Sequence, residues 1–286
     1  MSEYQYYEFV TLDGAISDKG MEYAESCSSR AEVSPLRWRN VYNFGDFHGS
    51  ISRLLQYYDA HFYTSCWGTT RFALAFSEGL IDLDLIKPYL REDDWYEFTL
   101  SVETHKGRTI IWWKRLEEEG WDWIVGDGVI GYLAGIRNEI LQGDYRSLFI
   151  GWLAGFEQSR DRDTSGEDEY IPPVPPCMES LSPAQLALIE QFPVDQDELK
   201  VAAELSMAYQ SSCDTVEHVL DGLSRNEMKA LLERVAAGDG TKVMTELNSQ
   251  TRYTEEESCR KRMTCNEFAG KVLETRKARE KHDAEG

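Results

Sequence analysis

The segment EQSRDRDTSGEDEYIPPVPP, Glu157 to Pro176, constrains this chain more than any other. It is charged over its first half and proline-rich at its end. Such a stretch buries too little apolar surface to fold alone, and its prolines favour an extended, stiffened path. The 286-residue chain therefore divides in expectation into an α+β domain over 1–156, an acidic proline-rich linker over 157–178, and a helical domain over 179–286. Charge changes at the same place. Residues 157–204 carry twelve acids and three bases, whereas 205–286 is nearly balanced at fifteen to thirteen.

Before the linker, aromatic and β-branched residues predict strands at YQYYEFVTL, LRWRNVYNF and TTRFALAF, with a hairpin of WYEFTLSV and RTIIWWKRL around His105–Gly107. In the first strand Tyr4, Tyr6, Glu8 and Val10 share one face, with Tyr7 and Phe9 on the other. Ser17 is an expected helix N-cap. Ile51, Leu54, Leu55, Tyr58, Phe62 and Cys66 recur at helical spacing, so a helix is expected from Ser50 to a stop at Gly68, in preference to the strand that Tyr, Phe and Thr in DAHFYTSCW would also allow. GVIGYLAGIRNEILQG and YRSLFIGWLAGFEQ read as two helices meeting near Gly143. After the linker, Ser182 with Pro183, and Ser224 with Glu227, mark helix starts, and Gly238 a stop. The fold class that results is α+β: an N-terminal sheet with helices packed on it, followed by a small all-α region.

Net charge is −21, from 51 acidic and 30 basic residues, and such a surface repels a phosphate backbone at long range. Bulk nucleic-acid binding is therefore not expected. No run of eighteen apolar residues points to a membrane span. Six cysteines lie without CxxC spacing, and the N-terminus lacks the pattern of a signal peptide. A cytoplasmic protein with reduced thiols is the expectation.

Candidate chemistry concentrates in LRWRNVYNFGDFHGS, Leu36 to Ser50. Arg37 and Arg39 share a strand face and could form an anion site with Arg71. Asp46 and His48 could serve acid–base chemistry, but positions two apart in a turn seldom bring such side chains into one hydrogen bond. Arg37, Arg39, Asp46, His48 and Arg71 thus form a speculative ligand pocket, with no catalytic residue assigned. No GxSxG or GxxxxGK[ST] occurs, and the five histidines are too scattered to suggest a metal. Neither a metal nor a cofactor is expected. Gly126, Gly128 and Gly131 have GxGxxG spacing, but Asp127 would place a charge beside a pyrophosphate, so a helix start is the preferred reading. Trp95, Trp112, Trp113, Trp121 and Trp123 cluster around the hairpin. Adjacent Trp112 and Trp113 must point to opposite sheet faces, so either both faces are covered by core packing or one is a partner surface; one of the two is expected to be exposed.

The blocks YQYYEF, SSRAEVSP, RWRNVYNFGDFHG, YYDAHFY with the following WGTTR, and PPVPP before a helical region resemble a family of uncharacterised bacterial proteins. The resemblance spans most of the chain. It implies a cytoplasmic bacterial protein, often continued by a long charged helical tail, and brings no established activity and no catalytic residue. The residues themselves leave a non-enzymatic interaction or adaptor protein with protein partners as the first expectation, a small-ligand-binding or catalytic domain built on the Arg/Asp/His pocket as the second, and a nucleic-acid accessory role through SRAEVSPLRWR as a third.

Overall fold

The computed structural model describes residues 4–92, 98–116, 126–156, 169–206, 219–251 and 263–285. The polar half of the expected linker, 157–168, lies outside the described residues, as do Trp95, Trp121 and Trp123.

The chain is α+β. Seven antiparallel strands, β1 (Gln5–Val10), β2 (Glu32–Val33), β3 (Arg37–Tyr42), β4 (Ala60–Ser65), β5 (Thr70–Ser77), β6 (Phe98–His105) and β7 (Arg108–Arg115), form one sheet in the order β2-β3-β1-β4-β5-β7-β6. The β6–β7 hairpin closes through Lys106 and Gly107, both at positive φ (45° and 79°). Two positive φ values in a two-residue loop match the right-handed twist of the flanking strands.

The register decides which residues share a face. Glu8 stands opposite Arg39 and Phe62, and Phe9 opposite Trp38 and His61. Tyr6, Phe62, Phe72, Leu74 and Trp113 therefore point to one side, where α4 (Val129–Leu133), α5 (Gly135–Leu141) and α6 (Arg146–Ala154) complete the larger core. Tyr7, Phe9, Trp38, Tyr63, Ala73 and Trp112 point to the other, covered by α1 (Asp18–Ser26) and α2 (Ile51–Leu54) with Leu55 and Tyr58. A further short helix, α3 (Leu83–Ile86), runs into a 3₁₀ turn at Lys87–Tyr89 before β6. Ser17 caps α1 through the Gly20 N–H, as its sequence position predicts.

One expectation is overturned. The helix expected from Ser50 ends at Leu54, and Ala60–Ser65 is the central strand β4, paired with β1 and β5 along its length. All six of its residues are buried, so its side chains show no alternation of apolar and polar. Ladder bonds on both sides and burial on both faces outweigh the helical spacing of Tyr58, Phe62 and Cys66.

Beyond the linker the described residues form helices: α7 (Pro183–Gln191), α8 (Gln196–Leu205), α9 (Arg225–Arg234), α10 (Gly240–Thr251) and α11 (Cys265–Glu285). Ser182 and Ser224 each form a full capping box. Gly238, at φ 94°, breaks the helical path, and α10 begins two residues later. These helices add to the sheet's larger core. Leu188, Phe192, Val201, Phe268 and Val272 lie in one cluster with Phe98, Trp152 and Phe156. The proline-rich stretch is packed as well: Pro172, Pro175 and Met178 are buried, and the Tyr89 hydroxyl donates to the Pro173 carbonyl at 2.9 Å. Proline has no N–H to satisfy, so an extended segment can be buried at little polar cost. Ile171 and Cys265 exchange main-chain bonds with Met263 and Glu169, tying the end of the linker to the start of α11.

Candidate functional site

Arg37 and Arg39, on β3, share the sheet face that carries Glu8 and Tyr6. Arg37 Nε lies 2.5 Å from Glu8 Oε1, off the line of a good hydrogen bond, and its Nη2 lies 3.1 Å from Asp127 Oδ1. Arg39 grips Glu32 through Nε and Nη2 (3.1 and 2.8 Å) and donates Nη1 to Asp127 at 2.7 Å. The Tyr6 hydroxyl donates to Glu8 Oε2 at 2.6 Å. Burial, then the Glu8 carboxylate, raises the Tyr6 pKa. Hydrogen bonds from Arg39 hold Asp127 and Glu32 below the usual carboxylate range.

The glycine-rich turn delivers Asp127 to this place. Gly126 sits against the Tyr6 ring, where an added Cβ would come within 2.3 Å, and Gly128 takes φ 87° to start α4. The sheet holds no parallel pair among the described strands, and Asp127 is occupied by both arginines. The residues with GxGxxG spacing thus build a turn and a charge clamp. With three carboxylates around two guanidiniums, the clamp has no positive charge to spare for an anion.

Asp46 and His48 lie in the loop after β3, on the opposite side of the sheet. Asp46 accepts from Gln5 Nε2 at 3.2 Å, and Gln5 Oε1 accepts from the Tyr7 and Tyr63 hydroxyls. Phe47, between the two, turns inward and stacks on Tyr7 with ring centroids 5.2 Å apart. His48 is exposed and makes no hydrogen bond or ion pair with Asp46. Arg71, on β5, faces the Asp46 side, opposite Tyr63 and Lys114. The five expected pocket residues are therefore not brought together. Arg37 and Arg39 occupy one sheet face, Asp46 and Arg71 the other, and His48 is in solvent. An odd-numbered step along each strand and an intervening ladder separate them, which one strand's sequence cannot show.

No protein-family model, curated protein or solved structure matches this chain.

Trp112 and Trp113 point to opposite faces as expected, but neither is a surface residue: 6% and 0% of each is exposed. Trp113 packs against Phe72 and under α6, its Nε1 reaching the Ser147 carbonyl at 3.4 Å. Trp112 belongs to the second core with His61 and Ile110. Covering of both sheet faces removes the exposed tryptophan on which a partner surface there depends.

Other polar residues prove more central than those singled out in the sequence. Asp59 accepts from the Leu12 and Asp13 N–H groups (2.7 and 3.2 Å) and from Arg108 Nη2 at 2.5 Å. Arg137, buried on α5, forms a two-pronged pair with Asp13 and donates Nε to the Ala75 carbonyl at 3.2 Å. His61 is fully buried, its Nδ1 2.9 Å from the Glu8 carbonyl, so the ring carries its proton on Nδ1. Burial lowers its pKa to about 3. An open groove between the Leu83–Tyr89 turn and β6 is lined by Leu83, Leu90, Val102, Lys87, Glu92 and Thr104, and holds none of the expected pocket residues. Among the described residues no group of histidine, cysteine and acidic side chains could hold a metal. No helix among them is long and apolar enough to cross a membrane.

Proposed function

We propose that this is a cytoplasmic, non-enzymatic interaction protein that assembles through its α9–α10 helices, with a second copy of the chain as the first partner. One observation carries this reading. Helix α9 buries none of its residues, yet Met228, Leu231, Leu232 and Val235 recur at three- and four-residue steps. Met228, Leu232 and Val235 are 38%, 69% and 45% exposed, and Met244 on α10 is 50% exposed. A surface helix ordinarily turns such a stripe toward a core, and a continuous exposed apolar strip marks a contact surface.

Charge favours a second copy. Residues 225–251 carry four bases and four acids within a chain of net charge −21. Elsewhere two acidic copies repel each other; here they meet without that cost. The rim is already neutralised within the chain, since Arg234 holds Glu246 through two bonds (2.7 and 2.8 Å) and Lys229 lies 3.7 Å from Glu233. Attraction at this surface is therefore apolar.

Sedimentation velocity tests the reading. The wild-type chain is expected to dimerise in the micromolar range, and Leu232→Glu to remain monomeric with an unchanged circular dichroism spectrum, because the residue supports no core. A wild-type chain that stays monomeric to about 100 μM, weaker than roughly −5.5 kcal/mol of association, would sink it. Capture of a different protein, lost on Leu232→Glu, would move the surface to a heterologous partner.

A further inference from the structure

Arg71 and Lys114 stand directly opposite each other on β5 and β7, on the face away from the Arg37–Arg39 clamp. Directly opposed residues have Cβ atoms about 4.5–5.5 Å apart, and like charges so placed destabilise a sheet. In a chain with 51 acids to 30 bases, a carboxylate for each cation would be easy to supply. Arg37, Arg39, Arg108, Arg137 and Arg146 each have one. Among the described residues Arg71 and Lys114 have none. Each lies over an aromatic ring instead: Arg71 Cζ is 5.4 Å from the Tyr63 centroid, and Lys114 Nζ is 5.3 Å from that of Trp112. Both are only partly exposed, so solvent screens their field less than that of a surface lysine.

The aromatic floor beneath them is closed to solvent. The Trp112 indole, two residues from Lys114 on the same face, is buried, and its N–H has no acceptor among the described residues. Buried donors are rarely left so. One strand inward, Ala73 contributes only a methyl group between Trp112 and His61.

The geometry points to a phosphate-binding site here. Arg71 supplies a planar fork of donors and Lys114 a point charge, and the buried Tyr63 and Trp112 rings hold the two side chains in place. A dianion neutralises both cations at once, and a guanidinium beside an ammonium suits phosphate oxygens. The source is either free phosphate or a small phosphate monoester.

Phosphorus-31 titrations and thermal melts of the full chain, with inorganic phosphate, phenyl phosphate and sodium chloride at matched ionic strength, test this site. A saturable response to phosphate that chloride does not give is expected. Arg71→Ala and Lys114→Met should each weaken it about tenfold or more, as loss of a charge-assisted bond does, and Arg71→Lys should retain part. In chloride alone, Lys114→Met should melt no lower than wild type, because it relieves repulsion. Tighter binding of phenyl phosphate assigns the site to a monoester; equal binding assigns it to free phosphate. The Leu232→Glu variant should titrate like wild type, which separates this site from the α9 surface. No saturation beyond the chloride control, or variants that bind like wild type, would overturn the site. So would a Lys114→Met chain that melts well below wild type in chloride, since the cation would then be holding the fold.

Discussion

His61 shows how a single residue's setting dictates its chemistry. Its ring stacks on Phe9 with centroids 4.1 Å apart and meets Trp112 edge-on at 6.0 Å. Charging it there would place an imidazolium among aromatic rings, so burial lowers its pKa from 6.5 to about 3. The unfolded chain takes up this proton more readily than the folded one. Stability from the neutral ring is therefore complete above about pH 6.5 and declines as pH falls toward 3, at up to about 1.4 kcal/mol per pH unit. Urea melts between pH 7.5 and 5 should show that decline in wild type. His61→Gln keeps a donor for the Glu8 carbonyl without a titrating ring, and it should flatten the profile over the same range. A wild-type profile equally flat would mean that water reaches the ring. Arg71 and Asp46 lie on one face, yet each has its own partner, Tyr63 and Gln5, and no ion pair joins them.

Among the elements, β4 owes its position to the residue that precedes it. The Asp59 carboxylate fixes the turn after β1 through two N–H groups and holds Arg108 at the start of β7. The Asp59 N–H and carbonyl also bond to Val10 and Ala75. Asp59 is 5% exposed, so its loss strands a partly buried guanidinium. Asp59→Ala should cost about 3–5 kcal/mol of folding free energy. Asp46→Ala and His48→Ala, in the exposed loop after β3, should each cost about 1 kcal/mol or less. Denaturant midpoints of the three variants decide the matter. An Asp46→Ala cost equal to that of Asp59→Ala would show that the loop carries structure beyond its bond to Gln5. Helix α11 is docked by a similar device. Asp197, buried on α8, takes three bonds from Arg279 and lies 3.6 Å from Arg276, and those guanidiniums hold its carboxyl below the usual range.

In the whole molecule, the larger core draws on both ends of the chain. Phe192 meets Phe98 edge-on at 5.6 Å, and Phe268 meets Phe156 at 5.1 Å. Gln185 on α7 bonds to Glu139 and Asp144, and Arg146 donates to the Cys177 and Ser180 carbonyls. A chain cut after Phe156 would expose Trp152, Phe156 and Phe98 to water at once. Burying a large side chain is worth about 1.5–3 kcal/mol, while net stabilities are only about 5–15 kcal/mol. Such a fragment is therefore expected to lose its cooperative melt. Calorimetry of residues 1–156 checks this; a sharp transition at the full-length temperature would show that the helices beyond the linker contribute nothing to that core.

Much of this architecture is legible in the residues themselves, because its causes are local. Aromatic alternation marks β1 and β5, the His-Lys-Gly turn marks the last hairpin, Ser182 and Ser224 mark helix starts, and the adjacent tryptophans must face opposite ways. Each follows from backbone geometry within about ten residues of chain. The strand at Ala60–Ser65 was legible only as the lesser reading of DAHFYTSCW, since burial on both faces erases the alternation that announces a strand and leaves the helical spacing to dominate. The clamp was not legible, because it joins Glu8, Glu32, Arg37, Arg39 and Asp127 across up to 119 positions of sequence (127 minus 8). Pairing order and register determined which cations are neutralised and which remain. Residue types alone place Arg37, Arg39 and Arg71 together; the tertiary structure puts a sheet between them, surrounds the first two with carboxylates and leaves the third beside Lys114. Local chemistry sets what each segment can become, and long-range pairing, where burial and charge are settled together, decides what its side chains meet.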